Sequence, residues 1–66
     1  MMKKVRRIDY NAPCTYAPLT TDAVVNTEEI SRVFSIETRR TEPCVRLVFR
    51  DGGKMDCVGT AEDFLP

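Results

Sequence analysis

The feature that most constrains this chain is an apolar alternation on both sides of an Asp-Gly-Gly sequence. Residues 45–49, VRLVF, are apolar at every odd-numbered position, and the alternation resumes at Met55 and Cys57. A period of two places such residues on one face of a β-strand. Directly opposed residues of a hairpin share a face, so odd-numbered positions must pair with each other across a loop of odd length. The sequence therefore predicts a hairpin with a three-residue loop at 51–53, a type I turn closed by a left-handed glycine.

The segment before the hairpin predicts a third strand in the same sheet. In ISRVFSIETRR, Phe34 and Ile36 fall on one face and Val33 falls on the other. If apolar side chains oppose each other across strands, the three strands form an antiparallel meander. The expected pairs are Phe49 with Met55, Leu47 with Cys57, Phe34 with Phe49, and Ile36 with Leu47. The apolar face then consists of Phe34, Ile36, Val45, Leu47, Phe49, Met55 and Cys57.

Two capping patterns predict single helical turns on either side of this meander. Asn26 lies three residues before Glu29, and Thr60 lies three residues before Asp63. An oxygen-bearing side chain at the first position accepts a backbone hydrogen bond from the turn, and an acidic third residue suits the positive end of its dipole. One-turn helices are therefore expected near residues 27–30 and 60–65.

The remaining cover for the sheet must come from both ends of the chain, because three strands with one apolar face are not stable alone. The candidates are a short strand with Val24 and Val25, an N-terminal segment anchored by Val5 or Ile8, and a lid of Phe64 and Leu65. The expected fold class is all-β, or small α+β at most. About five short antiparallel strands would form an SH3-like barrel or a strongly bent meander.

The length and composition favour one folded domain. A chain of 66 residues is near the lower limit for folding on one apolar core. Its 42% hydrophobic and 30% charged residues are in the range of globular proteins. Residues 1–66 are expected to form a single small β domain, in which 1–21 supply an N-terminal segment with a proline-containing loop and 22–65 supply the main meander.

The charge balance and the absence of long apolar runs argue against membranes and against bulk electrostatic attraction. Ten basic and ten acidic residues give a formal net charge of zero, so no global field draws the chain to nucleic acid. The apolar runs are far shorter than the ~20 residues that span a bilayer. The opening MMKKVRRIDY has no apolar segment behind its positive charges. No membrane association and no secretion are expected.

The three cysteines predict free thiols and a cytoplasmic location. Cys14, Cys44 and Cys57 form no C-x-x-C pair, and the chain has no histidine to complete a zinc site. Cys44 and Cys57 have opposite parity, which separates them beyond easy disulfide distance. Asp51 and Asp56 flank glycines without the ligand spacing of a calcium loop. No metal and no other cofactor are expected.

The residues do not form a recognisable catalytic constellation. Histidine is absent, and there is no Gly-rich phosphate loop, G-x-S-x-G elbow or H-E-x-x-H helix. Cys14, in APCTY, is the one plausibly exposed nucleophile, and no partner base is identifiable for it. The chain is therefore expected not to be an enzyme.

The order of these motifs resembles a known group of small proteins. VNTEEI, a strand, and then VRLVFRDGGKMDCVGTAEDFL are similar to the layout of short FlbD-type flagellar proteins and of small phage-encoded β proteins. The resemblance covers residues 24–65 and consists mostly of turn chemistry. It implies a small bacterial or phage β module that acts by binding and not by catalysis.

The leading functional hypothesis is protein binding through an apolar stripe. Val33, Val48 and Val58 have outward parity on three adjacent predicted strands. Apolar residues in the middle of a charged face either lie beneath another segment or contact another chain. Exposed strand edges offer a second route to association. A protein partner is expected, with homodimerisation among the outcomes.

The alternative hypothesis is a nucleic-acid-binding regulator with a basic face. Arg50 is expected to oppose Lys54, a like-charged pair that favours a nearby anion, and Glu37 is expected to oppose Arg46. Tyr10 and Tyr16 are candidates for stacking on bases. The candidate phosphate-contacting residues are Lys3, Lys4, Arg6, Arg7, Arg39, Arg40, Arg46, Arg50 and Lys54.

Overall fold

The described part of the chain is all-β, with five strands and two short 3-10 turns, as the sequence predicts. The computed structural model describes residues 1–10 and 19–64. The strands are β1 (Met2–Asp9), β2 (Leu19–Asn26), β3 (Ile30–Ile36), β4 (Cys44–Phe49) and β5 (Lys54–Val58). The first 3-10 turn, Thr27–Glu29, lies between β2 and β3, and the second, Ala61–Asp63, follows β5.

All five strands form one antiparallel sheet in the order β2-β1-β5-β4-β3. β1 pairs along its whole length with β2, from Met2 opposite Asn26 to Asp9 opposite Leu19. On its other side, β1 joins β5 where Arg7 opposes Cys57. β2 and β3 are the two edges of an open sheet. Of the two expected arrangements, the structure is therefore the open one and not a closed barrel.

The core lies on the odd-numbered face of the sheet. Its buried members come from four strands and from the segment after the second turn: Val5, Val25, Val45, Leu47, Cys57 and Phe64. Val45, Leu47 and Cys57 are fully buried. Fully burying a valine or leucine side chain contributes about 1.5–3 kcal/mol. The predicted anchors Val5 and Ile8 and the predicted lid residue Phe64 are all buried, whereas Leu65 lies outside the described residues.

The hairpin between β4 and β5 has the predicted loop length and a left-handed closing glycine, but the loop begins one residue earlier than predicted. The Phe49 N–H donates to the Gly53 carbonyl at 2.8 Å, and the Gly52 N–H donates to the Phe49 carbonyl at 3.0 Å. The loop is thus 50–52, closed by Gly52 with a φ of +91°. The Asp51 carboxylate accepts the Gly53 N–H at 2.8 Å, a side-chain bond that favours this placement.

Moving the loop by one residue moves every cross-strand partner by two. Leu47 opposes Met55 and Val45 opposes Cys57, so the predicted pairs of Phe49 with Met55 and Leu47 with Cys57 are wrong. A shift of two leaves each side chain on its predicted face. The prediction that Cys57 packs in the core is therefore confirmed even though its partner is different.

The predicted register of β3 is wrong by an odd number, which exchanges its two faces. Val33 opposes Leu47 on the core side, whereas Phe34 opposes Arg46 and Ile36 opposes Cys44 on the other side. The predicted pairs of Phe34 with Phe49 and Ile36 with Leu47 do not form. The cause is an irregularity between Ile30 and Arg32, where the register shifts by one residue. A one-residue slip turns every later side chain to the opposite face.

Both predicted turns are present with side-chain caps. The Asn26 amide oxygen accepts the Glu28 N–H at 3.1 Å and also the N-terminal ammonium at 3.1 Å. At the second turn the Asp63 carboxylate accepts the Thr60 N–H at 2.8 Å and the Thr60 hydroxyl at 3.3 Å. The backbone hydrogen bond from Thr60 holds the pKa of Asp63 below its usual value. These caps fix the directions in which the chain enters β3 and leaves β5.

Candidate functional site

The three valines of the predicted protein-binding stripe do not share a face. Val33 packs against the core cluster, because it lies opposite Leu47. Val48 and Val58 are half-buried on the opposite, even-numbered face, where Val48 opposes Lys54 and Val58 opposes Cys44. The predicted stripe therefore reduces to two valines.

Phe34 is the apolar side chain that the exchanged faces bring outward. It is 47% exposed in the middle of the edge strand β3. Its cross-strand neighbour is Arg46, and Val48 is two pairs further along β4, opposite Arg32. Sequence parity alone placed Phe34 in the core, so this residue was missed as a surface candidate. The register shift between Ile30 and Arg32 turns Phe34 outward, and the apolar alternation of the sequence does not indicate this shift.

Four of the nine predicted phosphate-contacting residues have partners inside the molecule. Lys3 donates to the Asp63 carbonyl at 2.8 Å, and its ammonium lies 5.2 Å from the centre of the Phe64 ring. Arg6 and Arg40 both pair with Glu42, at 3.2 and 2.9 Å. Arg46 pairs with Asp56 at 2.7 Å. Each of these four side chains is therefore held by a contact inside the molecule, although Arg6 and Arg40 share one carboxylate.

The other five are exposed and have no ion pair within residues 1–10 and 19–64: Lys4, Arg7, Arg39, Arg50 and Lys54. The like-charged pair of Arg50 with Lys54 does not form, because Val48 is the residue opposite Lys54. Glu37 does not oppose Arg46, because the cross-strand neighbours of Arg46 are Phe34 on β3 and Asp56 on β5. Tyr16 and Cys14 lie outside the described residues.

The ion pairs to Glu42 fasten the β3–β4 connection onto the sheet. Glu42 bridges Arg40 of the same connection to Arg6 of β1, and Arg6 also reaches the Thr20 hydroxyl at 3.4 Å. The hydrogen bond from Arg40 holds the pKa of Glu42 below its usual value. This cluster is accounted for by its role in closing the loop over the sheet.

A second polar cluster joins β1, β4 and β5 on the even-numbered face. Arg46 makes two parallel hydrogen bonds to the Asp56 carboxylate, Nε to Oδ1 at 2.7 Å and Nη2 to Oδ2 at 3.1 Å. The Tyr10 hydroxyl donates to Oδ2 of the same carboxylate. The Asp56 side chain is only 8% exposed, so these bonds compensate most of its lost hydration. We call Tyr10, Arg46 and Asp56 the polar triad.

Within the polar triad, the pKa of Asp56 is lowered and the pKa of Tyr10 is raised. The hydrogen bonds from Arg46 hold the pKa of Asp56 below its usual value. Desolvation and the hydrogen bond to Asp56 raise the pKa of Tyr10 to about 12. Asp56 is therefore ionised and Tyr10 neutral across the physiological range. With Arg46 positive, the triad is electrically neutral as a unit.

A cavity of about 240 Å³ lies beside the polar triad. Residues of β1, β4 and β5 line it, together with Tyr10. Of these, Ile8 and Lys54 have the same parity as the triad, so Ile8 adds an apolar side chain and Lys54 a positive charge on this face.

The thiols and carboxylates do not form a metal-binding cluster in the described part of the chain. Cys44 and Cys57 are free and buried. Burial raises the pKa of Cys57 to about 11, which keeps it in the unreactive thiol form. The Cys44 thiol is 3.5 Å from the Thr38 hydroxyl and from the Glu42 carbonyl. Residues 1–10 and 19–64 hold no group of three histidine, cysteine or acidic side chains placed to bind a metal.

Comparison with known proteins does not assign the chain to a class. No family model, no curated protein and no solved structure matches it. Among the described residues there is no helix of the length and apolarity needed to cross a bilayer. The even-numbered face and the sheet edges are therefore the surfaces from which a function can be inferred.

Proposed function

We propose that this chain is a non-enzymatic protein-interaction module that pairs a second strand along the free edge of β3. The observation that carries the proposal is Phe34, a large aromatic side chain 47% exposed at the centre of an edge strand. Edge strands offer backbone donors and acceptors to an incoming strand, and alternate side chains give the pairing its specificity. Aromatic residues are enriched among the anchors of protein interfaces.

The occupant we propose for this edge is β3 of a second copy. Arg32 is the one charged residue of β3, and the strand has no proline or lysine to protect its edge. Antiparallel self-pairing centred on Phe34 would place this side chain against the same residue of the second copy. Arg32 would then lie opposite Ile36, so no like charges would be opposed. Stacked aromatic pairs of this kind add about 0.5–1.5 kcal/mol beyond their buried area.

The other edge provides a matched control for this proposal. Val24, on β2, is 56% exposed and so presents an apolar side chain at least as open as Phe34. β2, however, carries the exposed Asp22 near its centre. Adding a strand to this edge would bury the Asp22 carboxylate, which opposes pairing. Each edge strand carries one charged residue, and the two differ in that the proposed pairing of β3 places Arg32 opposite Ile36.

Sedimentation equilibrium on three proteins tests the proposal. We expect the unmodified chain to dimerise at micromolar concentration, Phe34→Glu to be monomeric, and Val24→Glu to dimerise like the unmodified chain. A strict monomer at high micromolar concentration, or equal weakening by both substitutions, would contradict pairing through β3. Circular dichroism of each variant checks that the sheet is retained.

The wider role we propose is that of a cytoplasmic binding module of bacterial or phage type. The resemblance to short FlbD-type flagellar proteins and small phage-encoded β proteins implies this kind of role. The free thiols of Cys44 and Cys57 favour a reducing compartment. The buried, high-pKa thiol of Cys57 and the neutralised carboxylate of Asp56 argue against catalysis by either group.

Nucleic-acid binding is the second candidate, and the five exposed cations without an ion pair favour it. If these residues contact phosphates, affinity for a short duplex should fall steeply as salt rises, since bound counterions are released. Replacing one of them, for example Arg50→Gln, should lower the slope of log affinity against log salt by about one. Affinity that is insensitive to salt, or absent, would remove this candidate.

A further inference from the structure

A row of side chains crosses the even-numbered face of the sheet and includes the polar triad. Phe34, Arg46 and Asp56 oppose one another in turn on β3, β4 and β5. The Tyr10 hydroxyl, directly after β1, reaches the same Asp56 carboxylate. Phe34 and Tyr10 are 47% and 58% exposed, and neither belongs to the core cluster. Two open aromatic rings thus lie on one face with a guanidinium between them.

The polar triad holds the middle of this row in a fixed arrangement. Arg46 makes two parallel hydrogen bonds to Asp56, and Tyr10 donates a third to the same carboxylate. These bonds restrain the guanidinium and the phenol ring, although both side chains are at the surface. A guanidinium is planar and stacks on aromatic groups, as a tyrosine ring does. The row therefore presents three planar groups, two of which are positioned by one largely buried carboxylate.

The next row on the same face supplies two positive charges. Arg32 opposes Val48, and Val48 opposes Lys54, so the two cations flank a half-buried valine. Both cations are exposed, and neither makes an ion pair with a described residue. Asp56 is the one carboxylate in the two rows across β3, β4 and β5, and Arg46 compensates it. This part of the face therefore has an excess of positive charge beside its rings.

The spacing of the rings determines what can stack on them. Neighbouring strands of a sheet are about 4.8 Å apart, so Phe34 and the carboxylate that Tyr10 reaches, two strands apart, are separated by about 10 Å. Successive bases in one strand of a duplex are stacked on each other about every 3.4 Å, which leaves no open base faces at this spacing. The two rings can be covered only by bases that are unstacked, as they are in a bound single strand.

We infer that this face binds single-stranded nucleic acid, with bases stacked on Phe34 and Tyr10 and phosphates contacted by Arg32 and Lys54. Arg46 provides a third planar surface between the rings. The site does not depend on the proposed self-pairing of β3, because edge pairing would leave this face uncovered. Nucleic acid is also the ligand of the second candidate, but that candidate uses scattered cations and a duplex, whereas this site uses one face and a single strand.

Fluorescence anisotropy with three labelled probes of about 12 nucleotides per strand tests the choice of ligand. The probes are a DNA single strand of mixed sequence, the RNA of the same sequence, and the DNA duplex. We expect the unmodified chain to bind at least one single strand about tenfold more tightly than the duplex. Such a preference supports the site, and the tighter single strand identifies the sugar. Equal or tighter binding of the duplex, or no saturable binding of either single strand, overturns it.

Substitutions that remove or keep a ring test the stacking. Phe34→Leu and Tyr10→Leu should each raise the Kd for the single strand about fivefold or more, because a base loses its stacking surface. The matched controls Phe34→Tyr and Tyr10→Phe keep a ring and should stay within about twofold of the unmodified chain. Unchanged binding by both leucine variants, or equal weakening by the ring-deleting and ring-retaining variants, would overturn stacking on these residues.

The salt dependence tests the two cations. Arg32→Gln with Lys54→Gln should lower the slope of log affinity against log salt by about 1.4, since single strands give about 0.7 per phosphate contact. The matched control is Arg7→Gln with Arg39→Gln, which removes the same charge from the opposite face and from the β3–β4 connection and should leave the slope unchanged. Equal changes in both double variants would indicate the scattered contacts of the second candidate and overturn this site.

Two further measurements keep these outcomes separate from folding and from self-pairing. Circular dichroism of each variant checks that the sheet is retained. Sedimentation equilibrium measures the self-pairing of β3 without nucleic acid, so the failure of one proposal is distinguishable from the failure of the other.

Discussion

The two faces of the sheet are stabilised by different interactions: the odd-numbered face by apolar burial, the even-numbered face by hydrogen bonds between charged side chains. The odd-numbered face buries Val45, Leu47 and Cys57 completely. The even-numbered face has the exposed Arg46 bonded to the largely buried Asp56, a cavity, and the half-exposed Phe34 at its edge. Substitutions on the first face should therefore change the free energy of unfolding. Those on the second should mainly change binding.

The largest effect should come from truncating the core. Leu47→Ala removes a fully buried side chain and leaves a cavity, so we expect a loss of about 2–5 kcal/mol in the free energy of unfolding. For a domain of this size such a loss can abolish folding. Phe34→Ala, measured by urea denaturation at a concentration where the chain is monomeric, should cost below about 1 kcal/mol. Equal losses for both would mean that Phe34 is part of the core.

The hairpin loop provides a sharper test with two neighbouring glycines. Gly52 has a φ of +91°, so Gly52→Ala places a side chain in a strained backbone conformation and should cost about 1–2 kcal/mol. Gly53 has no such backbone requirement, and a Cβ there would be 3.0 Å from the Asp51 carboxylate, at the end of a side chain. Gly53→Ala should therefore cost less than Gly52→Ala in the same denaturation experiment. The reverse order would place the loop at 51–53, as the sequence alone predicts.

A smaller effect is expected from the polar triad, and it depends on pH. The pKa of Asp56 is lowered by folding, so its contribution to stability is present above its unfolded value and is lost as pH falls through the folded value. Asp56→Asn should therefore lower stability near neutral pH and flatten its dependence on acid. Denaturation midpoints between pH 2 and 7 for the two proteins measure this. Parallel curves would contradict the assignment of Asp56.

The smallest effect is on the ionisation of Tyr10. Its pKa is raised to about 12, so its contribution to stability is complete below about 10 and is lost as pH rises through 12. In a Tyr16→Phe variant the absorbance of the remaining tyrosine should titrate near 12. Adding Asp56→Asn should lower this value towards 10. Titration near 10 in the presence of Asp56 would show that the hydrogen bond does not form in solution.

Local patterns were sufficient to predict β3, β4, β5 and both turns, whereas β1 was expected only as an N-terminal segment anchored by Val5 or Ile8. The period of two in residues 45–49 and 55–57, the capping residues Asn26 and Thr60, and the turn chemistry around Gly52 each act over a few residues. Such short-range signals gave the strands, the turns and the core face of the hairpin. Thr60 and Asp63 even form the bonds that their spacing predicts.

The parity of β3 could not be decided in the same way, because both of its faces carry apolar residues. Val33 on one face and Phe34 with Ile36 on the other both satisfy an apolar-opposite-apolar rule. The choice depends on the irregularity between Ile30 and Arg32, which has no local sequence signature. A register shift of one residue was enough to put Val33 in the core and Phe34 on the surface, the reverse of the prediction.

The polar triad could not be predicted from the sequence, for a different reason. Tyr10 and Asp56 are 46 residues apart and meet because β1 lies next to β5. No spacing rule predicts that contact. Arg46 and Asp56 do share parity, and the correct hairpin register places them opposite each other. Their ion pair was thus available to sequence reasoning once the loop was placed at 50–52.

Amide hydrogen exchange of the two edge strands at two protein concentrations tests the central claim most directly, namely that β3 and not β2 is the associating edge. Backbone groups that gain a partner exchange more slowly. We predict that the outward amides of β3 slow markedly between low and high micromolar concentration while those of β2 do not change. Exchange that is independent of concentration in both strands, or slowing confined to β2, would contradict the account.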